Sequence, residues 1–225
     1  QDACHGHAIV YADEISNRKT QPYITYPQGN FASPVFHGER PDPMPHYEMT
    51  GNPVSIAFSE QSPPVKMRSF KLYRDTKEIR DVKILDKDND PNRLLTERQF
   101  ALFPLQPLEY DTDYRAVFEY RQNGKDRTAE WTFSTQKPDY PYFIVKGGET
   151  LAIESGQKYF IHWQDFWCLK QCERYNYRMN RDTQLDIIER QAGGIIIRVN
   201  GSKGSSIRLM PEGEDRRAIT LYLWK

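Results

Sequence analysis

The sequence has no excess of charge of either sign, because 31 Lys and Arg residues balance 31 Asp and Glu residues. It also lacks a long basic run, and therefore the positive field that attracts polyanions and anionic lipid. We do not expect nucleic acid as a partner. The longest apolar stretch, residues 193–199, has the length of a β-strand and falls well short of the roughly 18 residues that a membrane helix needs. We therefore expect no membrane span.

Signature motifs of common enzymes are also missing. The sequence contains no GxSxG elbow, no HExxH, no P-loop and no GxGxxG. It also offers nothing to locate a pair of catalytic acids of the kind that glycosidases use. We therefore predict a protein that is not an enzyme and that needs no cofactor, the alternative being an unrecognised carboxylate-pair site.

Cysteine is scarce, and its spacing is informative. Only Cys4, Cys168 and Cys172 are present, and no second Cys or His pair completes a zinc site. The spacing predicts a local disulfide between Cys168 and Cys172, which favours an oxidising compartment. Cys4 is then left for a partner upstream, and three free thiols in a cytosolic protein are the alternative.

The first residue is Gln1, with neither Met nor an apolar leader. We expect that a signal peptide has been removed or that a larger protein has been cut. Together with the cysteine spacing, this predicts a secreted, periplasmic or cell-surface protein.

Aromatic residues are abundant, at 13%, and favour strands. Seven prolines lie between positions 22 and 53, so residues 23–47 are predicted as an extended covering segment or lead-in. The Asn123-Gly124 pair predicts a type I′ hairpin between strands at residues 114–121 and 127–135. Four earlier strands are predicted from alternation: Val54, Ile56 and Phe58; Phe70 and Leu72; Ile79, Val82 and Ile84; Phe100, Leu102 and Leu105.

One motif specifies the sandwich type. Leu108, Thr112 and Tyr114 precede a strand with the spacing of a tyrosine corner, in which a buried phenol bonds back to nearby backbone. This spacing is typical of immunoglobulin-like sandwiches. We therefore predict a structural role for Tyr114.

The polar, proline-containing residues 136–141 predict a linker. Seven strand patterns follow, with a turn at Gly193-Gly194 and an irregular loop between Trp163 and Asn180, predicted as a disulfide-pinned loop or a single helical turn. The predicted fold is all-β, with two small β-sandwich (immunoglobulin-like) domains in tandem. The predicted organisation is an N-terminal segment (1–22), a proline-rich lead-in with an Ig-like sandwich (23–136) and a second β domain carrying the CxxxC loop (137–225).

Several short motifs resemble a known module. They are Pro53-Val-Ser-Ile-Ala-Phe-Ser-Glu60, Asp90-Pro-Asn92, Gln99-Phe-Ala-Leu-Phe-Pro-Leu105 and Trp131-Thr-Phe-Ser-Thr135, together with Phe36-His-Gly-Glu-Arg-Pro-Asp-Pro43. In this order they resemble the bacterial Ig-like (SbsA-type) module that follows CAP (SCP/PR1-like) domains in secreted or surface bacterial proteins. The resemblance covers residues 8–136 and implies an upstream CAP domain in the same polypeptide. The signatures of the CAP domain itself are absent, and residues 1–22 are a candidate for its tail.

Two candidate metal sites stand out. Asp86, Asp88, Asp90 and Glu97 have the oxygen spacing of a calcium loop, although Pro91 occupies the position where such a loop needs glycine. Met44, His46 and Met49 mix ligands that suit copper, and His5 and His7 lie near Cys4. Metal binding by a β-sandwich is therefore the alternative function.

An aromatic cluster provides the third candidate site. Trp163, Phe166 and Trp167 cannot all face one core in a strand, so at least one is a candidate anchor for a protein or carbohydrate partner. The alternative is a small satellite core at the end of the sandwich. The sequence thus predicts a non-catalytic accessory, binding or structural module of a bacterial extracytoplasmic protein.

Overall fold

The computed structural model describes residues 22–167, 174–179, 182–191 and 193–225. The chain divides into two compact units, the first ending at Lys137 and the second running from Pro138 to Lys225. Within the described residues, strands dominate, and the only helical element is a short 3-10 turn at Asp215–Arg217. No helix of these residues is long and apolar enough to cross a membrane.

Each unit is built around a sandwich of two sheets, which confirms the predicted all-β fold of two sandwich domains in tandem, and the first unit has a further two-stranded sheet. Strands of the first unit are β1 (Tyr23–Tyr26), β2 (Gly29–Ala32), β3 (Val35–Phe36), β4 (Thr50–Gly51), β5 (Val54–Phe58), β6 (Lys66–Arg74), β7 (Lys77–Ile79), β8 (Val82–Leu85), β9 (Gln99–Pro104), β10 (Asp113–Gln122) and β11 (Lys125–Thr135). Strands of the second unit are β12 (Tyr142–Val145), β13 (Thr150–Ile153), β14 (Lys158–Trp163), β15 (Tyr175–Met179), β16 (Thr183–Gln191), β17 (Gly194–Gly201), β18 (Ser206–Pro211) and β19 (Ile219–Leu223).

The first unit packs a sheet of order β1-β5-β9-β8 against one of order β2-β11-β10-β6-β7. Buried and outward-facing residues alternate along its strands. On β10 the buried residues are Tyr114, Ala116, Phe118 and Tyr120, and the residues between them face outward. The hairpin between β10 and β11 turns at Asn123 and Gly124, both with positive φ (51° and 73°), as a type I′ turn requires.

The strand predicted over Ile79, Val82 and Ile84 is wrong. The structure divides it between β7, where Ile79 pairs with Leu72 of β6, and β8, where Val82 pairs with Pro104 of β9. Because these partners belong to different sheets, the chain changes sheets at Arg80 and Asp81.

The proline-rich segment has two roles. Residues 33–50 cover the outer face of the β9 sheet, where Met44 and Phe36 form a second core with Leu85, Ala101 and Phe103. This cover explains why every residue of β9 is buried. Residues 23–32, predicted as a lead-in, instead form β1 and β2, which pair with β5 and β11 and belong to the sandwich.

The second unit packs a sheet of order β12-β14-β17-β16 against one of order β13-β19-β18-β15. This strand order repeats that of the first unit, which adds β7 at one sheet edge and the β3–β4 pair. In both sheets one edge pair is parallel, β12 with β14 and β13 with β19. The prediction of an irregular loop from Trp163 to Asn180 is wrong for Tyr175–Met179, which forms β15 and pairs with β18. Its sequence, Tyr-Asn-Tyr-Arg-Met, alternates aromatic or apolar residues with polar ones, so the prediction overlooked a period-two strand pattern.

Candidate functional site

The loop of predicted calcium ligands bonds to its own backbone. Asp86 Oδ1 accepts the N–H groups of Asp88 and Asn89, at 2.9 and 3.2 Å. Asp90 is buried, and its carboxylate accepts the N–H groups of Asn92, Leu94 and Leu95 at 2.7 to 2.9 Å. These bonds give both carboxylates a structural role in holding the turn.

Glu97, the fourth predicted calcium ligand, contacts the Arg98 guanidinium at 2.7 Å and the Lys87 ammonium at 4.0 Å. Across the described ranges, no group of three or more His, Cys, Asp or Glu side chains is arranged to hold a metal ion. Asp86, Asp88, Asp90 and Glu97 therefore do not converge on one point.

The predicted copper ligands are not equivalent. Met44 is 1% exposed and belongs to the core beneath the covering segment, whereas His46 is exposed and Met49 is half-buried. The Met44 backbone N–H donates to Asp42 Oδ1 at 2.8 Å, and Asn92 Nδ2 donates to the Asp42 carbonyl at 2.8 Å. These bonds fix the backbone around Met44, whose side chain packs in the core. Packing alone is enough to explain a methionine at this position.

The predicted aromatic anchors also differ from one another. Trp163 is 0% exposed, and its Nε1 donates to the Arg217 carbonyl at 2.8 Å. It follows the inward residues Tyr159 and Ile161 along β14, so the alternation of the strand places it in the core. Trp163 is therefore not available to a partner, which corrects the prediction for this residue.

Phe166 and Trp167 are half-buried and have intramolecular contacts. The guanidinium carbon of Arg217 lies 4.8 Å from the Phe166 ring centroid, and the Trp167 ring lies 4.9 Å from that of the buried His162. The His162 Nδ1 in turn lies 3.1 Å from the Gly193 carbonyl oxygen. This arrangement matches the satellite-core alternative. The predicted Cys168–Cys172 disulfide, and Cys4, His5 and His7, lie outside the described residues.

Sequence reasoning missed an exposed aromatic pair at the end of the chain. Along β19, Ile219, Leu221 and Leu223 are buried, so the alternation directs Tyr222 to the outer face of its sheet, and Trp224 follows on the same side. Tyr222 is 39% exposed and Trp224 45% exposed. Period-two alternation with aromatic residues on the outward side was the available signal.

The neighbours of Tyr222 leave its ring accessible. In the register of the sheet, Tyr222 lies between Ala152 of β13 and Ser206 of β18, both of which are small. Arg208, which pairs with Thr220, is exposed on the same outer face. The second unit therefore presents two aromatic rings and a guanidinium group on one face of a sheet, which we call the Tyr222 face.

A small cavity opens at one edge of the first unit. It has a volume of about 320 Å³ and is lined by Tyr23, Thr25, Gln28, Glu130, Trp131 and Thr132. The lining combines two aromatic rings with hydroxyl, amide and carboxylate groups. The Trp131 Nε1 is buried and has no hydrogen-bond partner.

No protein-family model and no curated protein matches the sequence. Solved structures that resemble the chain contain Ig- or FN3-like domains in tandem. The titin fragment A168169 is 10% identical and aligns over 90% of this chain and 99% of its own, with a TM-score of 0.27. Domains 4 and 5 of the S-layer protein SbsC are 12% identical over 71% of this chain and 100% of their own, with a TM-score of 0.25.

Domains FN1–FN3 of chicken CNTN1 are 9% identical over 77% of this chain and 62% of their own, also with a TM-score of 0.25. At such identities the likeness concerns the fold alone. The strand orders and the two cores define the class directly: this is an all-β protein of two sandwich domains.

Proposed function

We propose that this protein is a non-catalytic binding module, in which the second unit engages a protein partner or surface ligand through the Tyr222 face. The observation that carries the proposal is the exposure of Tyr222, on the outer side of β19, and of Trp224, which directly follows this strand. The extracytoplasmic location, the bacterial source and the upstream CAP domain are part of the proposal and rest on the sequence motifs and cysteine spacing.

The physical basis is the chemistry of the exposed side chains. Trp, Tyr and Arg are the residues that most often dominate binding energy at protein interfaces, because each combines a large contact area with a polar group. The sheet fixes the backbone at Tyr222 and Arg208, so a partner has to order only their side chains. The polar groups that the sequence offered for chemistry, by contrast, cap backbone N–H groups, as Asp90 does.

Binding to isolated envelopes of the source cells, measured by co-sedimentation, tests this proposal. Tyr222→Ser and Trp224→Ser remove aromatic area that packs in no core, so we expect the fold to persist and the apparent affinity to fall about tenfold or more. Ile188→Ser is the matched control, since Ile188 is 41% exposed on the other sheet of the same unit. Equal binding by the Tyr222 and Ile188 variants, or no binding by the wild type, would contradict the proposal.

The metal-binding alternative has its own test. A ligand that prefers the folded state raises the melting temperature, so melts are compared in chelator, in calcium and in copper(II). We expect identical curves. An upward shift of several degrees that is lost in Asp88→Asn, for calcium, or in His46→Ala, for copper, would favour a metal function instead.

A further inference from the structure

One edge of the first unit has a step. Among the described residues, only β2 pairs with the outer edge of β11, and it does so only at Phe133 and Thr135. The preceding stretch of β11 pairs with β10 on its inner side, from Lys125 opposite Gln122 to Trp131 opposite Ala116. On its outer side the described residues supply no strand. The edge therefore consists of a recess beside residues 126–131 and a projection, one strand wide, formed by β2.

The register identifies the backbone groups that face the recess. A two-residue turn makes its flanking residues, Gln122 and Lys125, a mutually hydrogen-bonded pair. Bonded and non-bonded pairs alternate along an antiparallel ladder, so Ala129 and Trp131 bond to β10, whereas the N–H and C=O groups of Thr128 and Glu130 point into the recess. Such a row of edge groups is a template for another strand.

The recess adjoins the cavity that contains an unsatisfied donor. Glu130 and Trp131 both line the cavity of about 320 Å³, with Thr25 and Gln28 on its far wall. The buried Trp131 Nε1 has no acceptor in the structure. A buried N–H group without a partner is costly, so an acceptor that enters this cavity is stabilised there.

The projection has features that suit the recess. β2 carries no charged residue, and Phe31 at its outer face is 82% exposed, the highest value among the large hydrophobic residues of the described chain. Ala32 faces the core, Asn30 and Phe31 are exposed, and a register shift between the two contacts with β11 marks a bulge at these residues. β2 spans four residues, so it is shorter than the six-residue recess.

We propose that two copies of this chain associate through this edge, with β2 of each copy lying in the recess beside β11 of the other. A twofold axis perpendicular to the sheet places the projection of one copy in the recess of the other and the reverse, as an isologous interface requires. The incoming β2 runs antiparallel to β11 and joins the two sheets into one. Asn30 is the polar side chain of this strand and is exposed, so the carboxamide oxygen of Asn30 of the partner subunit supplies the acceptor that Trp131 lacks.

The charges are compatible with self-association. Lys and Arg balance Asp and Glu over the whole chain, so two copies carry no net repulsion. The uncharged β2 also meets Asp126 and Glu130 without a like charge. Asp126 pairs with Arg121 at 2.9 Å and Glu130 with Arg115 at 3.4 Å, so both carboxylates are balanced within their own copy. A short shared edge gives a weak dimer, because small interfaces belong to transient complexes.

Sedimentation equilibrium of the full chain from about 1 µM to about 1 mM covers the affinities expected of weak pairing. We expect a concentration-dependent dimer. Phe31→Glu introduces, at a residue exposed in the monomer, a charge of the same sign as Asp126 and Glu130, and Thr128→Pro removes an N–H that points into the recess while leaving the β10 ladder intact. Both variants are expected to stay monomeric. The matched controls Leu94→Glu, at a residue 49% exposed, and Thr128→Ala are expected to dimerise.

Amide hydrogen exchange provides a readout that needs no variant. The Thr128 and Glu130 amides should be protected only in concentrated protein, whereas the Ala129 and Trp131 amides, bonded to β10, are protected at every concentration. A chain that remains monomeric at the highest concentration, a dimer unaffected by Phe31→Glu and Thr128→Pro, or Thr128 and Glu130 exchange that does not depend on concentration would each overturn the proposal. The test is independent of the Tyr222 face, whose residues belong to the second unit.

Discussion

Two tyrosine hydroxyl groups perform the same task in the two units. Tyr114 Oη accepts the backbone N–H of Glu109 at 2.9 Å, and Tyr159 Oη accepts that of Glu154 at 3.0 Å. In both cases the donor lies five residues before the tyrosine. The ring belongs to the core, and the hydroxyl satisfies the backbone of the segment that leads into the strand. The predicted tyrosine corner at Tyr114 is confirmed by this geometry.

Tyr114→Phe tests how much this bond stabilises the first unit. The substitution keeps the ring but removes the hydroxyl that accepts the buried Glu109 N–H, which costs about 1–3 kcal/mol of unfolding free energy. Urea unfolding at neutral pH measures the loss. Tyr73→Phe is the control, because the Tyr73 ring only packs under the Arg115 guanidinium, 4.6 Å away, and this contact survives. Equal losses in the two variants would contradict the assigned role.

The stability difference between wild type and Tyr114→Phe is also expected to depend on pH. Burial raises the pKa of Tyr114 from 10.0 to about 12. The folded state therefore favours the protonated phenol, and its stabilisation is complete below pH 10 and is lost as the pH rises from 10 through 12. Burial also raises the pKa of Tyr175 to about 12, so both proteins weaken there. The difference between wild type and Tyr114→Phe should therefore shrink above pH 10, and a constant difference would contradict this account.

The limits of sequence reasoning are clearest at single residues. From residue type alone, Trp163 was a candidate anchor for a partner and Met44 a candidate copper ligand, but both side chains are buried. The strand alternation from Tyr159 through Ile161 already predicted an inward Trp163. The burial of Met44 depends instead on the covering segment folding back over β9, a contact between residues far apart in the chain that no local pattern encodes.

At the scale of elements, strands with one solvated face were predictable and sheet membership was not. The alternation in β10 and the Asn123-Gly124 turn specify a hairpin locally. β9 reads as a continuous apolar run because both of its faces are covered, Phe100 and Leu102 by the main core and Ala101 and Phe103 by the second core. The change of sheet after Ile79 has no periodic signal, because it depends on which distant strands pair with β7 and β8.

The covering segment provides a prediction at this scale. Met44→Ala removes a fully buried side chain from the second core and should lower the unfolding free energy by about 2–5 kcal/mol. Met49→Ala, at a half-buried position, should cost clearly less. Urea denaturation measures the unfolding free energy of the two variants. Met44 and Met49 were equivalent as candidate copper ligands, so a difference reflects their packing. Similar stabilities would contradict the packing role of Met44.

At the scale of the whole molecule, the two units depend on separate cores. Tyr114, Phe118 and the aromatic rings around them stabilise the first, and Trp163 with the Ile and Leu residues of β17 to β19 stabilises the second. All sheet pairings among the described strands also stay within one unit. The sequence predicts a linker at the polar, proline-containing residues 136–141, which follow a completed strand.

Separate cores predict separate folding. Polypeptides 1–137 and 138–225 should each unfold in a cooperative transition, because each retains its own core and all strand pairings of its described residues. Calorimetry of the two fragments and of the full chain tests this directly. If the units are independent, the transitions of the fragments add to reproduce that of the full chain. A fragment that does not fold alone, or a full chain with a single transition hotter than both, would show that the units stabilise one another.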